Sequence, residues 1–260
     1  MKLEVTHLPP EGPRRGSIVF LHGAWCWNWY WKPYFLPYFA SQGYESVAFS
    51  LRGHGGSEGH ALINTFSIND YARDLRAVVS TLDTPLIVGH SMGGFITQTY
   101  LTRHAARGAV LLASAAPKPV LFQLFKTMLS QPFSGIRSGT VQNGPSRNDD
   151  HEMLRRQMFS REPHDRSMDK YLGNIQAESY RAVTSLLTRG IRQLSAIKTP
   201  LLVIGAGQDR MVDPEAVALT GRVYRTQVVM FDEMSHMLML ESRWKDVADE
   251  IIRFDTSLPR

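Results

Sequence analysis

PLIVGHSMGG, residues 85–94, decides how this chain folds. Leu86, Ile87 and Val88 form a short apolar run bounded by Pro85 and Gly89, which reads as a buried strand. The segment behind it, MGGFITQTYLTRH, reads as a helix, so Ser91 stands at the turn between the two. Gly89-His90-Ser91-Met92-Gly93 matches G-x-S-x-G. A serine at such a turn sits in a strained backbone conformation that lifts its hydroxyl above the sheet, and the flanking glycines let the turn approach its neighbours. The next residue opens a helix, so its N–H has no intrahelical acceptor and is available to a developing oxyanion. The pattern makes Ser91 the candidate nucleophile. The competing reading is a helix-capping serine in a nucleotide-binding turn, and it lacks a phosphate-loop lysine and a downstream ribose-binding acid.

Outward from that stretch, apolar runs alternate with helical patterns. LEVTHL reads as an edge strand; SIVFLHG (17–23), YESVAFS (44–50), GAVLLASA (108–115), TPLLVIGAG (199–207) and TQVVMFD (226–232) read as further strands. Helical spacing marks Tyr34 to Gln42, closed by Gly43, then 67–82 with Ser67 or Asn69 as cap, and 244–254. Strands that are apolar on both faces, alternating with helices, predict an α/β fold with a mostly parallel sheet of about eight strands between helical layers. The rhythm breaks between Pro117 and Arg192, where helical patterns surround VLFQLFKTMLS, HEMLRRQMF and DKYLGNIQAESYRAVTSLL. We therefore expect a core domain built from 1–116 and 193–260, with 117–192 as an inserted helical cap.

Composition narrows the function classes. The net charge is +5, and residues 117–192 carry all of it, with twelve basic and seven acidic side chains. That is a solvated helical surface or an attraction for anionic substrates or carriers. No nucleic-acid-binding motif accompanies the charge. Cys26 is the single cysteine, so no intrachain disulfide forms. Neither H-E-x-x-H nor a paired cysteine ligand set occurs, and no metal or other cofactor is expected. The N-terminus lacks the apolar core of a signal peptide and no apolar run of about 18 residues exists, so the expected location is cytoplasmic, with no transmembrane segment.

The motifs together resemble the α/β-hydrolase-fold superfamily, in its serine carboxylesterase and monoacylglycerol-lipase-like branch with a helical cap. The resemblance rests on His22-Gly23-Ala24-Trp25 after one strand, Arg52-Gly53-His54-Gly55-Gly56-Ser57 after the next, and Gly89 to Gly94. Gly207-Gln208-Asp209-Arg210-Met211-Val212 and Ser235-His236-Met237 complete it. It covers most of the chain and says little about substrate. In that family the chain order is serine, acid, histidine. Of the histidines beyond Ser91 and its helix, His151 and His164 fall in the polar part of the insertion. His236 follows a strand end, where such sheets place catalysis, and is the candidate base. GAVLLASAAP is followed by no carboxylate. Asp209, after TPLLVIGAG, is the candidate acid; Asp232 is an alternative, and Asp213, before Pro214, reads as a helix cap. The resemblance puts the oxyanion donors on the backbone N–H groups of Ala24 and Met92.

LHGAWCWNWYWKP (21–33) alternates tryptophans in the manner of a strand, yet Gly23 ends one strand and Pro33 belongs in the first turn of the next helix. Residues 24–31 are therefore a loop and helix entry. Trp25 is the tryptophan expected to meet substrate, Trp27, Trp29 and Trp31 are anchors, and Cys26 is a small buried apolar residue. Leu124, Phe125 and Met128 of the cap, and Met237 beside the base, are further candidate substrate-binding residues. The resemblance implies a small-molecule ester substrate of short to medium acyl length, cleaved through an acyl-enzyme. The basic cap leaves room for anionic acyl carriers, as in an acyl-carrier esterase or coenzyme A thioesterase. The family also holds carbon–carbon bond hydrolases, cofactor-free haloperoxidases, hydroxynitrile lyases and ligand receptors with little turnover. Its dehalogenases and epoxide hydrolases carry aspartate where Ser91 stands.

Overall fold

The computed structural model describes residues 1–119, 155–160 and 173–259. Seven strands among them form one sheet: β1 (Val5–Leu8), β2 (Gly16–Leu21), β3 (Tyr44–Phe49), β4 (Leu86–His90), β5 (Gly108–Leu112), β6 (Leu201–Ala206) and β7 (Val228–Phe231), in spatial order β1-β3-β2-β4-β5-β6-β7. β1 pairs antiparallel with β3 at one edge, and every other pairing is parallel. The count is seven among the described residues, against about eight expected.

The apolar runs look unbroken because both faces are buried. Ile18 and Phe20 of β2, Leu86 and Val88 of β4 and Val110 and Leu112 of β5 face one core. Val19, Leu21, Ile87, Ala109 and Leu111 face the other. Side chains alternate between faces at period two, so two covered faces need two sets of apolar residues. The first core is closed by α1 (Phe35–Ser41) and α6 (Trp244–Ser257), the second by α2 (Ile68–Val79), α3 (Met92–Leu101), α4 (Tyr180–Thr188) and α5 (Pro214–Tyr224).

Local chemistry sets the helix ends. Ser67 caps α2 in a reciprocal capping box: the Asp70 N–H donates to Ser67 Oγ at 3.3 Å, and the Ser67 N–H donates to Asp70 Oδ2 at 2.8 Å. Such a cap contributes about 1 kcal/mol. Asp213 caps α5, accepting from the Glu215 N–H at 2.8 Å, with Pro214 at the first helical position. Two boundaries differ from expectation. α1 begins at Phe35, so Pro33 lies in the turn before the helix and not in its first turn. Of the helix expected over DKYLGNIQAESYRAVTSLL, the part described from residue 173 onward becomes helical at Tyr180, because Ser179 caps it there; its Oγ accepts from the Ala182 N–H at 3.2 Å and donates to the Phe66 carbonyl at 2.6 Å.

The strand order places the site. From β2 the chain turns outward through α1 to β3; from β4 it turns the other way through α3 to β5. Loops leaving neighbouring strands toward opposite faces open a crevice at the strands' C-terminal ends, where α/β sheets bind ligands. Here those loops begin at His22 and Ser91. No helix among the described residues is long and apolar enough to cross a membrane.

Candidate active site

Ser91 joins β4 to α3 with φ 54° and ψ −119°, the left-handed side of backbone space that non-glycine residues avoid. The turn is locked from both sides: the Ser91 N–H donates to the Leu112 carbonyl at 3.0 Å, and the Ala115 N–H donates to the Ser91 carbonyl at 3.2 Å. Gly93 is required by close packing, since a Cβ there would stand 2.5 Å from the His22 carbonyl oxygen and 2.6 Å from that of Leu21. Gly23 lies directly against the serine; a Cβ on it would meet Ser91 Cβ at 2.8 Å. Met92 opens α3 and is buried.

Asp209 and His236 meet across the ends of β6 and β7. His236 Nδ1 lies 2.8 Å from Asp209 Oδ2, and both residues are buried. The other carboxylate oxygen, Oδ1, accepts from the Met211 and Val212 N–H groups at 2.7 and 2.9 Å. Asp209 is thus fixed by its own loop and presents one oxygen to the ring. A carboxylate on Nδ1 sets the tautomer with the proton there and leaves Nε2 as the lone-pair nitrogen. Asp232 is exposed and Asp213 is spent on its cap. His151 and His164 lie outside the described residues. The His236 loop is held by Glu241, whose Oε1 accepts from the Ser160 N–H at 2.8 Å and the Ser235 N–H at 3.2 Å. Burial raises the Glu241 carboxyl above its ordinary value, while the two N–H groups act against the rise.

The loop after β2 is pinned at almost every peptide group. The Gly23 N–H donates to Tyr30 Oη at 2.6 Å, and the Gly23 carbonyl accepts from His22 Nδ1 at 2.8 Å. The Trp25 carbonyl accepts from the Gln176 N–H at 2.9 Å, and the Trp25 N–H donates to Glu178 Oε2 at 3.4 Å. Between them, the Ala24 N–H meets no acceptor among the described residues. Trp25 itself has φ 61°, a strained conformation for a bulky residue.

Tyr30 extends the network. Its hydroxyl donates to His90 Nδ1 at 3.1 Å, and His90 Nε2–H donates to the His236 carbonyl at 3.0 Å. One line of hydrogen bonds therefore runs from the β2 loop through Tyr30 and His90 to the backbone of His236. Those partners require neutral His90, and burial, helped by neighbouring His236, holds its pKa well below the ordinary histidine value. His22 is also neutral: it accepts from the Leu51 N–H at Nε2, and burial and nearby His54 lower it.

A second buried cluster flanks the loop. His54 Nε2 lies 3.0 Å from Glu178 Oε2, and Tyr71 donates to Glu178 Oε1 at 2.9 Å. The Ser179 N–H also donates to Oε1, at 2.7 Å. Arg52, two residues before His54, is paired bidentately with buried Asp74 of α2.

The aromatic stretch divides as its packing dictates. Trp29 and Trp31 are buried in the first core, and Trp31 packs 5.0 Å from Phe20 between ring centroids. Trp27 is half-buried under the Lys32 ammonium, and Trp25 is half-buried beside Gly23 and Ala24. Residues 28–31 form a short 3-10 turn, not a strand. Cys26 is buried, and burial, with Glu178 adding to it, pushes its thiol up to about 12. Such a thiol is not a nucleophile near neutrality. Met237 sits in the first core, its N–H donating to the Met158 carbonyl at 3.0 Å. Leu124, Phe125 and Met128 lie outside the described residues. Tyr30, His90, Gln176 and Glu178 were not singled out from the sequence. Tyr30 and His90 sit inside stretches already marked, so their proximity to Gly23 and Ser91 was a usable signal; Gln176 and Glu178 carry none. No group of three or more metal-ligating side chains occurs among the described residues.

Comparison with known proteins fits this geometry. An AB hydrolase superfamily protein, YisY, of Bacillus subtilis is 26% identical over 244 residues, spanning 88% of this chain and 87% of its own. A non-heme chloroperoxidase, CPO-A1, of Kitasatospora aureofaciens is 32% identical over 132 residues, 48% of this chain and 46% of its own. The solved structure of an esterase from Exiguobacterium antarcticum superposes with a TM-score of 0.71 at 16% identity, covering 98% of this chain and 96% of that one. The sequence profile of the alpha/beta hydrolase family matches residues 18–250. The chain belongs to the alpha/beta hydrolase family.

Proposed function

We propose that this protein is a serine hydrolase of carboxylic esters with short to medium acyl chains. The reading is carried by one observation: a strained serine at the strand–helix turn directly follows His90, which hydrogen-bonds the main chain of a buried histidine whose Nδ1 is held by an aspartate at 2.8 Å. Ser91 attacks the ester carbonyl while His236 Nε2 takes its proton, and Asp209 stabilises the imidazolium. His236 returns the proton to the leaving alcohol and then activates water against the acyl-enzyme. The tetrahedral oxyanion is received by the N–H groups of Ala24 and Met92. Trp25, and the cap residues Leu124, Phe125 and Met128, contact the acyl group in this reading.

The test is turnover. The wild type is expected to hydrolyse p-nitrophenyl acetate and butyrate, and Ser91→Ala is expected to lower kcat by at least about 10⁴-fold. A fluorophosphonate is expected to label Ser91 and no other residue. A protein that binds a ligand tightly but never releases nitrophenol overturns the reading in favour of a receptor.

One surface feature favours a second reading, an acyl carrier of anionic character as substrate. A groove of about 960 Å³ is lined by Arg103, Lys118, Arg181, Arg189 and Arg192, with no carboxylate among the described residues that line it. Such a surface concentrates anions. If it serves a carrier, reversing charge at Arg189 and Arg192 lowers the ratio of acyl-coenzyme A to simple ester hydrolysis about tenfold, with a steeper loss at low salt. A profile of esters and thioesters from two to sixteen carbons separates the readings.

A further inference from the structure

Glu178 belongs to the part of the expected insertion that leads into α4, and the reaction above gives it no part. It is 7% exposed, and its side chain is sealed between His54, Tyr71 and the Trp25 peptide. Its two oxygens receive four donors: Tyr71 Oη and the Ser179 N–H on Oε1, His54 Nε2 and the Trp25 N–H on Oε2. That set fits an ionised carboxylate, which only accepts. His54 Nδ1 lies 3.1 Å from the Arg52 carbonyl, so both ring nitrogens face acceptors, a geometry that favours the doubly protonated ring. Burial pulls His54 toward neutrality, but Glu178 outweighs it and raises the ring above its ordinary value.

The pair bears on the loop beside Ser91. Trp25 has no intrinsic reason to adopt φ 61° and is held there by the insertion on both its main-chain groups: Glu178 accepts from its N–H and the Gln176 N–H donates to its carbonyl. The Gln176 side chain adds two bonds to the neighbouring loop, accepting from the Gly55 N–H at 2.8 Å and donating to the Gly53 carbonyl at 3.2 Å. With Gly23 and Trp25 committed on both sides, the intervening Ala24 N–H keeps a fixed position without an acceptor among the described residues. We infer that the Glu178–His54 pair is a positioning device for the oxyanion donor at Ala24, so that seating of the segment leading into α4 and competence of the hole are one event. The inference rests on the ester-hydrolase reading and deepens it.

Preorganised donors lose most of their value when displaced by a fraction of an ångström, and a misplacement of about 1 Å costs about 100-fold. The groups around the pair are Arg52, Asp74, His22 and Tyr71 at His54, and Tyr71 and Cys26 at Glu178. Because His54 is raised, the pair is intact below its folded value and is lost as pH climbs through it.

The full-length wild type, Glu178→Gln, His54→Gln and Ser91→Ala are assayed with p-nitrophenyl butyrate between pH 6 and 10, and with an aryl trifluoromethyl ketone, which forms an oxyanion in the hole. Glu178→Gln is expected to lower kcat about tenfold to a hundredfold with KM within about threefold, and to weaken the ketone by the same factor. A merely structural role would not make those two losses track each other. Folded Glu178→Gln with kcat and ketone affinity within about threefold of wild type overturns the inference. If that variant does not fold, His54→Gln decides: it keeps a donor to Glu178 but no charge, and should lower kcat and flatten the alkaline limb. A wild-type value and wild-type limb in His54→Gln overturn the inference equally. Turnover surviving in Ser91→Ala would remove the hydrolase reading and this inference with it, whereas loss only in Ser91→Ala removes the inference alone.

Discussion

His90 donates to the carbonyl oxygen of His236 at 3.0 Å, so the residue before the candidate nucleophile grips the backbone of the candidate base. The two are 146 positions apart in the chain. Their rings lie 4.6 Å apart between centroids, and neutrality of His90 keeps that contact free of like-charge repulsion.

Tyr30→Phe cuts this line one step upstream. It deprives the buried Gly23 N–H and His90 Nδ1 of their shared partner. A buried polar group left unpaired costs about 1–3 kcal/mol, so unfolding in urea should move by about 2 kcal/mol or more. Ester turnover should fall about tenfold through kcat, with KM nearly constant. A variant as stable and as active as the wild type would show that the line has no mechanical role.

Asp209→Asn preserves volume and the bonds from Met211 and Val212 but offers His236 an amide. The histidine then settles in the wrong tautomer, and kcat is expected to drop about 10⁴-fold. Steady-state kinetics at pH 8, alongside an unchanged circular-dichroism melt, checks it. A loss below about tenfold would send the search for the acid elsewhere.

Gly93→Ala tests the elbow. The added methyl meets main-chain oxygens of His22 and Leu21, which no side-chain rotation relieves. Overpacking of this kind costs about 1–3 kcal/mol, and here it pushes the β2 loop away from Ser91. Both the urea midpoint and kcat should fall; a fall in neither would mean that the loop yields freely.

Much of this architecture was legible in the sequence, and the reason is local. Val19 and Phe20 must both be apolar because one faces each core, so a strand buried twice announces itself as an unbroken run. Asp213 before Pro214 announces a cap, and Ser91 between glycines announces a turn, because each feature is complete within five residues. Glu178 is different. Its partner His54 is 124 positions away, and its setting is an irregular stretch where spacing suggested a continuous helix. Tertiary demands on Gln176 and Glu178 override helical propensity there, and nothing in a one-dimensional pattern records them. The tryptophans were legible for a local reason: Gly23 and Pro33 bracket their strand-like alternation, and the stretch between is a loop with a tight turn that buries Trp29 and Trp31.

Stability should also report the buried histidines. His22 and His90 are held below the ordinary histidine value, chiefly by burial. In the unfolded chain they take up protons near pH 6.5, while the folded state refuses them, so stability declines as pH falls from there. Each contributes up to about 1.4 kcal/mol per pH unit. Urea unfolding at pH 7, 6 and 5 should show the decline, and His90→Gln should make it shallower. Identical slopes in the two proteins would mean that His90 is charged in the fold.

The Ala24 amide hydrogen has a consequence for anyone trying to alter this crevice. It belongs to the main chain, so every amino acid except proline supplies it, and a scan of side chains at position 24 would pass over it in silence. Short of proline, which also restrains the backbone, replacing that one peptide bond by an ester, through chemical ligation or a hydroxy-acid suppressor, is what deletes the atom itself. By the same token, an inhibitor that anchors an acceptor there faces a contact that point mutation of residue 24 does not readily erase.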